Sequence, residues 1–178
     1  MICFTERGAW VCRRLFHKLR EAGGECEAVV PGRFLREEWK KEGMKEPGGE
    51  PLSQWTGRMF AEKRGMIFVS AAGIAVRAIA PWVRDKMTDP PVVSVDEGAQ
   101  FVIPLLSGHV GGANGLARCI AEWLRSTPVI TTATDVNGKF AVDLFASVYH
   151  MVITDRKEAK NISAAVLEGK HIGVFSDL

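Results

Sequence analysis

Between residues 66 and 138 the chain carries little charge. This stretch holds five Lys or Arg and six Asp or Glu, against thirteen and ten in residues 1–65. Three apolar runs fall within it: Met66-Ile67-Phe68-Val69, Val92-Val93-Ser94-Val95 and Phe101-Val102-Ile103-Pro104-Leu105. Short continuous runs rich in β-branched residues suit strands buried on both faces. Seven glycines punctuate the same stretch and mark tight loops. Such a middle calls for a sheet with helices packed against it.

The flanking patterns extend this reading. Met1 to Thr5 predicts a first strand. Val11, Cys12, Leu15, Phe16 and Leu19 then follow at helical spacing, and Gly23-Gly24 ends the helix. Ala28-Val29-Val30 before Pro31 predicts a short strand, residues 36–50 a polar, mobile surface segment, and residues 51–62 a helix. A short helix follows Ser70–Gly73 and stops at Pro81. The five residues Asp96–Gln100 between two apolar runs predict a β-hairpin, so the sheet is mixed. Leu116, Ile120 and Leu124 mark a further helix and Thr127–Thr131 a strand, with a polar loop over Thr132–Gly138. Residues 140–149 and 157–168 read as helices, 151–153 and 171–175 as strands. The fold class expected is α/β: a layered, Rossmann-like mixed sheet, mostly parallel with one β-hairpin, flanked by helices.

Composition narrows the function classes. At 178 residues the chain is one domain, or one domain plus a fragment. Its formal net charge of +2 does not suggest a nucleic-acid binder, and its five tryptophans are scattered rather than set as a stacking platform. No apolar run approaches the ~18 residues of a membrane span. The N-terminus lacks the features of a secretory signal, so a cytoplasmic setting is expected. Cys3, Cys12, Cys26 and Cys119 form no C-x-x-C pair. They are expected to be small buried hydrophobes, with no metal site of their own.

Ligands in open α/β sheets bind at the carboxyl ends of the strands. Four loops are expected there: Thr5–Gly8, Ser70–Gly73, Ser107–Asn114 and Thr132–Gly138. All are rich in glycine and hydroxyl residues, whose backbone N–H groups suit oxyanions and carboxylates. Ser107–Asn114 matches neither nucleotide-binding signature. Its His109 either packs or caps a helix, or serves as a general base or carboxylate ligand in a cleft. Ser107 and Ser70 lack the context of a nucleophile and read as hydrogen-bond donors. Asp96 and Glu97 are turn residues or acid–base groups, and Asp135 is open to the same two readings. Arg77 either snorkels, pairs with an acid or binds a carboxylate. Arg84, Asp85, Lys86 and Asp89 read as plain charged surface.

Several motifs occur in order along the chain. They are Phe68-Val69-Ser70-Ala71-Ala72-Gly73-Ile74-Ala75-Val76-Arg77, Asp85-Lys86-Met87-Thr88-Asp89-Pro90, Val93-Ser94-Val95-Asp96-Glu97, Leu105-Leu106-Ser107-Gly108-His109-Val110-Gly111-Gly112-Ala113-Asn114, and Pro128 to Gly138. Together they resemble the CbiG family of cobalamin-biosynthesis proteins, the cobalt-precorrin-5A hydrolases. A weaker similarity reaches Leu167-Glu168-Gly169-Lys170 and Gly173-Val174-Phe175-Ser176-Asp177. Within this resemblance residues 1–138 form an N-terminal α/β domain. Residues 139–178 begin a middle region, packed on the same sheet or separate from it. Family members usually carry a further C-terminal domain, expected to lie outside this sequence.

The resemblance implies opening of the δ-lactone of cobalt-precorrin-5A, with release of acetaldehyde to give cobalt-precorrin-5B. Cobalt arrives inside the tetrapyrrole substrate, and no cofactor is expected. For that chemistry His109 is the candidate base, with Asp96 or Glu97 orienting it or activating water. The Gly111 and Gly112 amides would hold the oxyanion or a side-chain carboxylate. Ser70, Ala71, Ala72, Gly73, Arg77, Ser107, Gly108, Asn114, Thr134 and Asp135 complete the candidate substrate-binding set. A homodimer and contacts with other enzymes of the cobalamin pathway are left open. Two further readings stand beside this one. The chain is either a tetrapyrrole-binding module that leaves catalysis to another domain, or a generic α/β anion- or nucleotide-binding domain.

Overall fold

A computed structural model of the chain describes residues 1–149 and 151–175; Ser176 and Asp177 of the last motif lie outside the described residues. The chain divides into two compact units, Met1–Val129 and the residues from Ile130 onward.

In the first unit β1 (Ile2–Cys3), β2 (Met66–Val69), β3 (Val92–Val95), β4 (Phe101–Leu106) and β5 (Thr127–Pro128) form one sheet in that order. The pairs β1–β2 and β2–β3 are parallel, β3–β4 is antiparallel and β4–β5 is parallel. The expected mixed sheet and its hairpin are therefore present. Pro104 cannot donate to a ladder, and the β3–β4 register slips by one between Val92 and Val93, beside its partner position.

Side chains of the sheet alternate between two helical layers. Ile67, Val69, Val93, Val95 and Val102 pack with α1 (Glu6–Glu21) and α5 (Ala113–Leu124). Met66, Phe68 and Val92 pack with α3 (Leu52–Ala61) and α4 (Ala72–Ile79). Two-sided cover explains why β2 is apolar at every position. Leu15, Phe68, Met66 and Ile120 are fully enclosed.

Several local expectations are revised. Ala28–Val30 is not a strand: Val29 makes single bridges to Ile2 and Lys45, and Pro31 prevents the ladder from continuing. Thr127–Thr131 shortens to the two residues of β5. Residues 36–50 contain the helix α2 (Glu37–Glu42), closed by Gly43 at φ 104°. Trp39 and Met44 anchor this segment in the core. The Trp39 ring meets Trp10 edge to face at 4.8 Å, and Arg36 lies over Trp10 at 4.6 Å. Arg13 grips Glu42 through two hydrogen bonds of 2.9 and 2.6 Å, with His17 Nε2 at 3.1 Å. One aromatic anchor and one bidentate ion pair thus order a stretch whose composition reads as loop. Cys3 and Cys12 are buried as expected, but Cys119 is exposed on α5.

The second unit is helical in its described residues: α6 (Ala133–Val136), α7 (Val142–Val148) and α8 (Arg156–Leu167). Asp155 caps α8 by accepting from the Lys157 and Glu158 amides. Thr132–Gly138, expected as loop, contains the single turn of α6. Residues 151–153 and 171–175, expected as strands, are not strands, because no described segment pairs with them.

Trp39→Ala is expected to cost about 3–5 kcal/mol of unfolding free energy, measured by urea denaturation. Arg13 and His17 hold the Glu42 carboxyl down to about 2, from an ordinary value of 4.5. Its small contribution is complete above the ordinary value and is lost as pH falls toward 2. Glu42→Gln should flatten the dependence of the urea midpoint on pH across that window.

Candidate functional site

The antiparallel β4 sorts the candidate residues into two groups. Val95 pairs with Val102, whereas Leu106 pairs with Val92, the first residue of β3. The chain therefore leaves β4 at the edge where β2 and β3 begin. Ser107–Asn114 sits there, and Ser70–Gly73, Asp96 and Glu97 sit at the opposite, carboxyl edge. The edges lie roughly 10–15 Å apart, at ~3.3 Å per strand residue. The four loops expected at one edge are thus not together. Neither Asp96 nor Glu97 reaches His109.

Ser107–Gly112 is a close-packed loop leading into α5. Ser107 takes the left-handed conformation at φ 55° and is buried. For a non-glycine residue this costs roughly 1–2 kcal/mol, so its surroundings must hold it there. Its hydroxyl donates to the Asp89 carbonyl at 2.8 Å. A Cβ on Gly111 would lie 2.4 Å from Ser107 Cβ, and one on Gly108 would lie 2.7 Å from Asn114 Oδ1. Gly111 therefore requires glycine, and a side chain at Gly108 would displace the Asn114 amide. The Ala113 amide donates to Ser107 O at 3.1 Å and the Asn114 amide to Gly108 O at 2.9 Å. The Gly112 amide donates to His109 O at 2.9 Å. That bond engages one of the two amides expected to hold an oxyanion and leaves Gly111 as the candidate donor. His109 is partly exposed on this loop, and Asn114 is buried at its base.

Asp89 is not plain surface. It is 8% exposed, and its Oδ2 accepts from the Arg84 amide at 2.8 Å and the Asp85 amide at 3.0 Å. These bonds shape the turn whose Asp89 carbonyl receives Ser107. The motif ending in Asp89-Pro90 and the motif containing His109 thus form one structure. The sequence signal was an acid before Pro-Pro leading into an apolar strand.

At the carboxyl edge Asp96 accepts from the amides of Gly98, Gln100 and Phe101 at 2.9, 2.8 and 2.6 Å. Both of its oxygens are thereby committed to the hairpin turn. Glu97 is exposed and accepts the Thr5 hydroxyl at 2.7 Å, while Thr5 Oγ1 caps α1 by accepting from the Gly8 amide at 3.0 Å. Thr5, expected as the start of a ligand loop, is instead a helix cap, for which a Thr before a helical run is the signal. Ser70 donates its hydroxyl to Ala71 O at 3.1 Å, and its own carbonyl receives the Ser94 hydroxyl at 3.3 Å. Arg77 folds back along α4, its Nη1 donating to Gly73 O at 3.2 Å. It therefore stays beside Ser70, Ala71, Ala72 and Gly73.

Thr134 and Asp135 lie on α6 in the second unit, where Thr134 is buried. Among the described residues, no group of three His, Cys, Asp or Glu side chains is placed to hold a metal ion. No helix of the described residues is long and apolar enough to cross a membrane.

The family model for the cobalamin synthesis G N-terminal region matches residues 54–135, the span that includes both edges of the sheet. The cobalt-precorrin-5A hydrolase of Salmonella typhimurium is 37% identical over 99% of this chain and 48% of its own length. The cobalt-precorrin-5A hydrolase of Priestia megaterium is 42% identical over 67% of this chain and 32% of its own. The chain thus spans about half the length, or less, of these relatives. The crystal structure of a cobalamin biosynthesis protein G homolog from Sulfolobus solfataricus shares the fold, with a TM-score of 0.53 at 24% identity, over 99% of this chain and 50% of that one. From the ordered motifs, the sheet that carries them and these relatives, the chain belongs to the CbiG family of cobalamin-biosynthesis proteins.

Proposed function

We propose that this chain acts in the anaerobic pathway of cobalamin biosynthesis as a cobalt-precorrin-5A hydrolase. It would open the substrate's δ-lactone and release acetaldehyde to give cobalt-precorrin-5B. The observation that carries this reading is the match of 99% of the chain to a relative of that activity. Cobalt belongs to the substrate, and the protein is read as using no cofactor of its own. The substrate's own class, a cobalt-bearing tetrapyrrole, comes from what the relatives are named for.

Within this reading the reaction sits at the Ser107–Asn114 edge. Water attacks the lactone carbonyl and His109, acting as general base, takes its proton. The Gly111 amide donates to the developing oxyanion. Collapse of that intermediate breaks the ring C–O bond, and the imidazolium returns its proton to the departing alkoxide. His109 then removes the hydroxyl proton as the adjacent carbon–carbon bond breaks. The hydroxyl carbon leaves as acetaldehyde, and the electron pair stays on the ring carbon. Asn114, Gly108 and Ser107 shape the floor of the site.

Asp96 and Glu97 enter this account in altered roles. Both sit a strand's length from His109, so neither orients it. Asp96 holds the hairpin turn, and Glu97 ties that turn to the start of α1. Ser70–Gly73 and Arg77, on the far edge, are assigned to a carboxylate-bearing ligand group away from the reacting carbon. Thr134 and Asp135 remain candidate ligand contacts within the second unit.

The test is acetaldehyde release from cobalt-precorrin-5A under anaerobic conditions. His109→Ala should lower release by roughly 10²–10⁴-fold, the usual contribution of a positioned base. Glu97→Gln should leave it within about threefold. Equal release by wild type and His109→Ala would remove His109 from the reaction. Bound substrate without release by wild type would make this chain a tetrapyrrole-binding module that depends on another domain for catalysis. Ser107→Ala frees the loop from Asp89. It should lower turnover more than it raises KM, because the loop positions the base rather than the substrate.

A further inference from the structure

The second unit has little interior of its own. Thr134, Ala141 and Ala146 are its buried residues among those described, and α8 buries none. Its large apolar side chains lie outside instead. Phe140 is 50% exposed, Phe145 40%, and Val148 and Tyr149 61% each. Positions 141, 144, 145 and 148 follow the spacing of one helix face, so α7 presents an apolar stripe to its surroundings. The Phe145 ring lies 5.3 Å from Phe140 and 4.6 Å from Tyr149. Together with Leu144 and Val148 they line an open groove of about 420 Å³. Lys139 and Asp135 supply one charge of each sign in its lining. A contiguous apolar patch of this kind marks an interaction surface. A segment this small also lacks the core to stand uncovered.

We propose that this face of α7 seats the part of a CbiG-family chain that the present sequence does not match, carried on the same polypeptide or on a separate one. The occupant follows from the relatives. The Salmonella protein matches 99% of this chain with 48% of its own length, and the Sulfolobus structure repeats that division at 99% and 50%. Family members therefore carry a further part about as large as this one. The groove offers no excess of either charge, so its occupant is an apolar surface of that part rather than an acidic or basic segment. This inference stands apart from the reaction proposed above.

The test co-expresses this chain with a tagged polypeptide comprising the unmatched part of the Salmonella typhimurium relative. A one-to-one complex is expected. The double variant Phe145→Asp, Val148→Asp should weaken it at least tenfold, while Arg14→Ala on α1 leaves it unchanged. Far-UV circular dichroism checks that the double variant keeps its helices. Three results would overturn the proposal: no complex, a complex indifferent to the double variant, or a dimer of this chain alone that the double variant breaks. A second measurement fuses the same part to this chain and follows hydrogen exchange over residues 142–148. Exchange at least tenfold slower than in the chain alone is expected, and unchanged exchange overturns the proposal.

Discussion

Three backbone N–H groups, those of Gly98, Gln100 and Phe101, converge on the Asp96 carboxylate and reverse the chain between β3 and β4. Hydrogen bonds from neutral donors to an ionised acceptor are among the stronger ones a turn can make. Everything after residue 100 depends on that reversal. It makes β4 antiparallel, delivers Ser107 to the edge where β3 begins and points α5 back across the sheet. Had β4 run parallel, His109 would share an edge with Glu97 and the Ser70 loop. The separation of the family's motifs into two groups is thus a consequence of one turn.

The early edge is then built by fit rather than by charge. Ser107 in a left-handed conformation, Gly111 too close to it to carry a side chain and Gly108 against Asn114 constrain the loop tightly. Asp89 holds the facing turn and lends Ser107 its carbonyl. In the proposed reaction a base on such a loop would arrive already positioned, which is what proton transfer at a fixed centre demands. The carboxyl edge works differently. The Thr5 hydroxyl takes the Gly8 amide and gives its proton to Glu97, so the start of α1 and the hairpin turn are held by a single side chain.

Much of this was legible from residue pattern alone. The apolar runs at 66–69 and 92–95 were read to the residue, because two-sided burial leaves β2 no polar position, and β3 only the small Ser94, to blur the signal. The hairpin was legible from five turn residues between two such runs. What the pattern hid was direction. The hairpin was recognised, yet Ser107–Asn114 was still assigned to the edge it would occupy beside a parallel strand. Trp39 was hidden for another reason: its neighbours are charged, and a lone anchor has no period. Asp89 reads as surface because nothing in a charged sequence says which acid will turn inward to accept backbone amides. The strands expected after residue 150 failed on pairing, since a run of apolar residues becomes a strand only beside a partner.

The geometry also limits how the motifs divide their labour. A base and an oxyanion donor must both lie within about 3 Å of atoms on one reacting centre. Residues at opposite ends of β3 cannot meet that condition together, whatever the size of the ligand, because the sheet and its two helical layers stand between them. In the proposed reaction one edge would therefore hold the chemistry, and the motif at the other would serve the fold or a remote part of the ligand. His109 stands on the early edge, while the two carboxylates at the far edge are engaged in holding a turn and a helix start. Assigning the reaction to the early edge leaves no catalytic duty that either carboxylate must leave its structural bonds to perform.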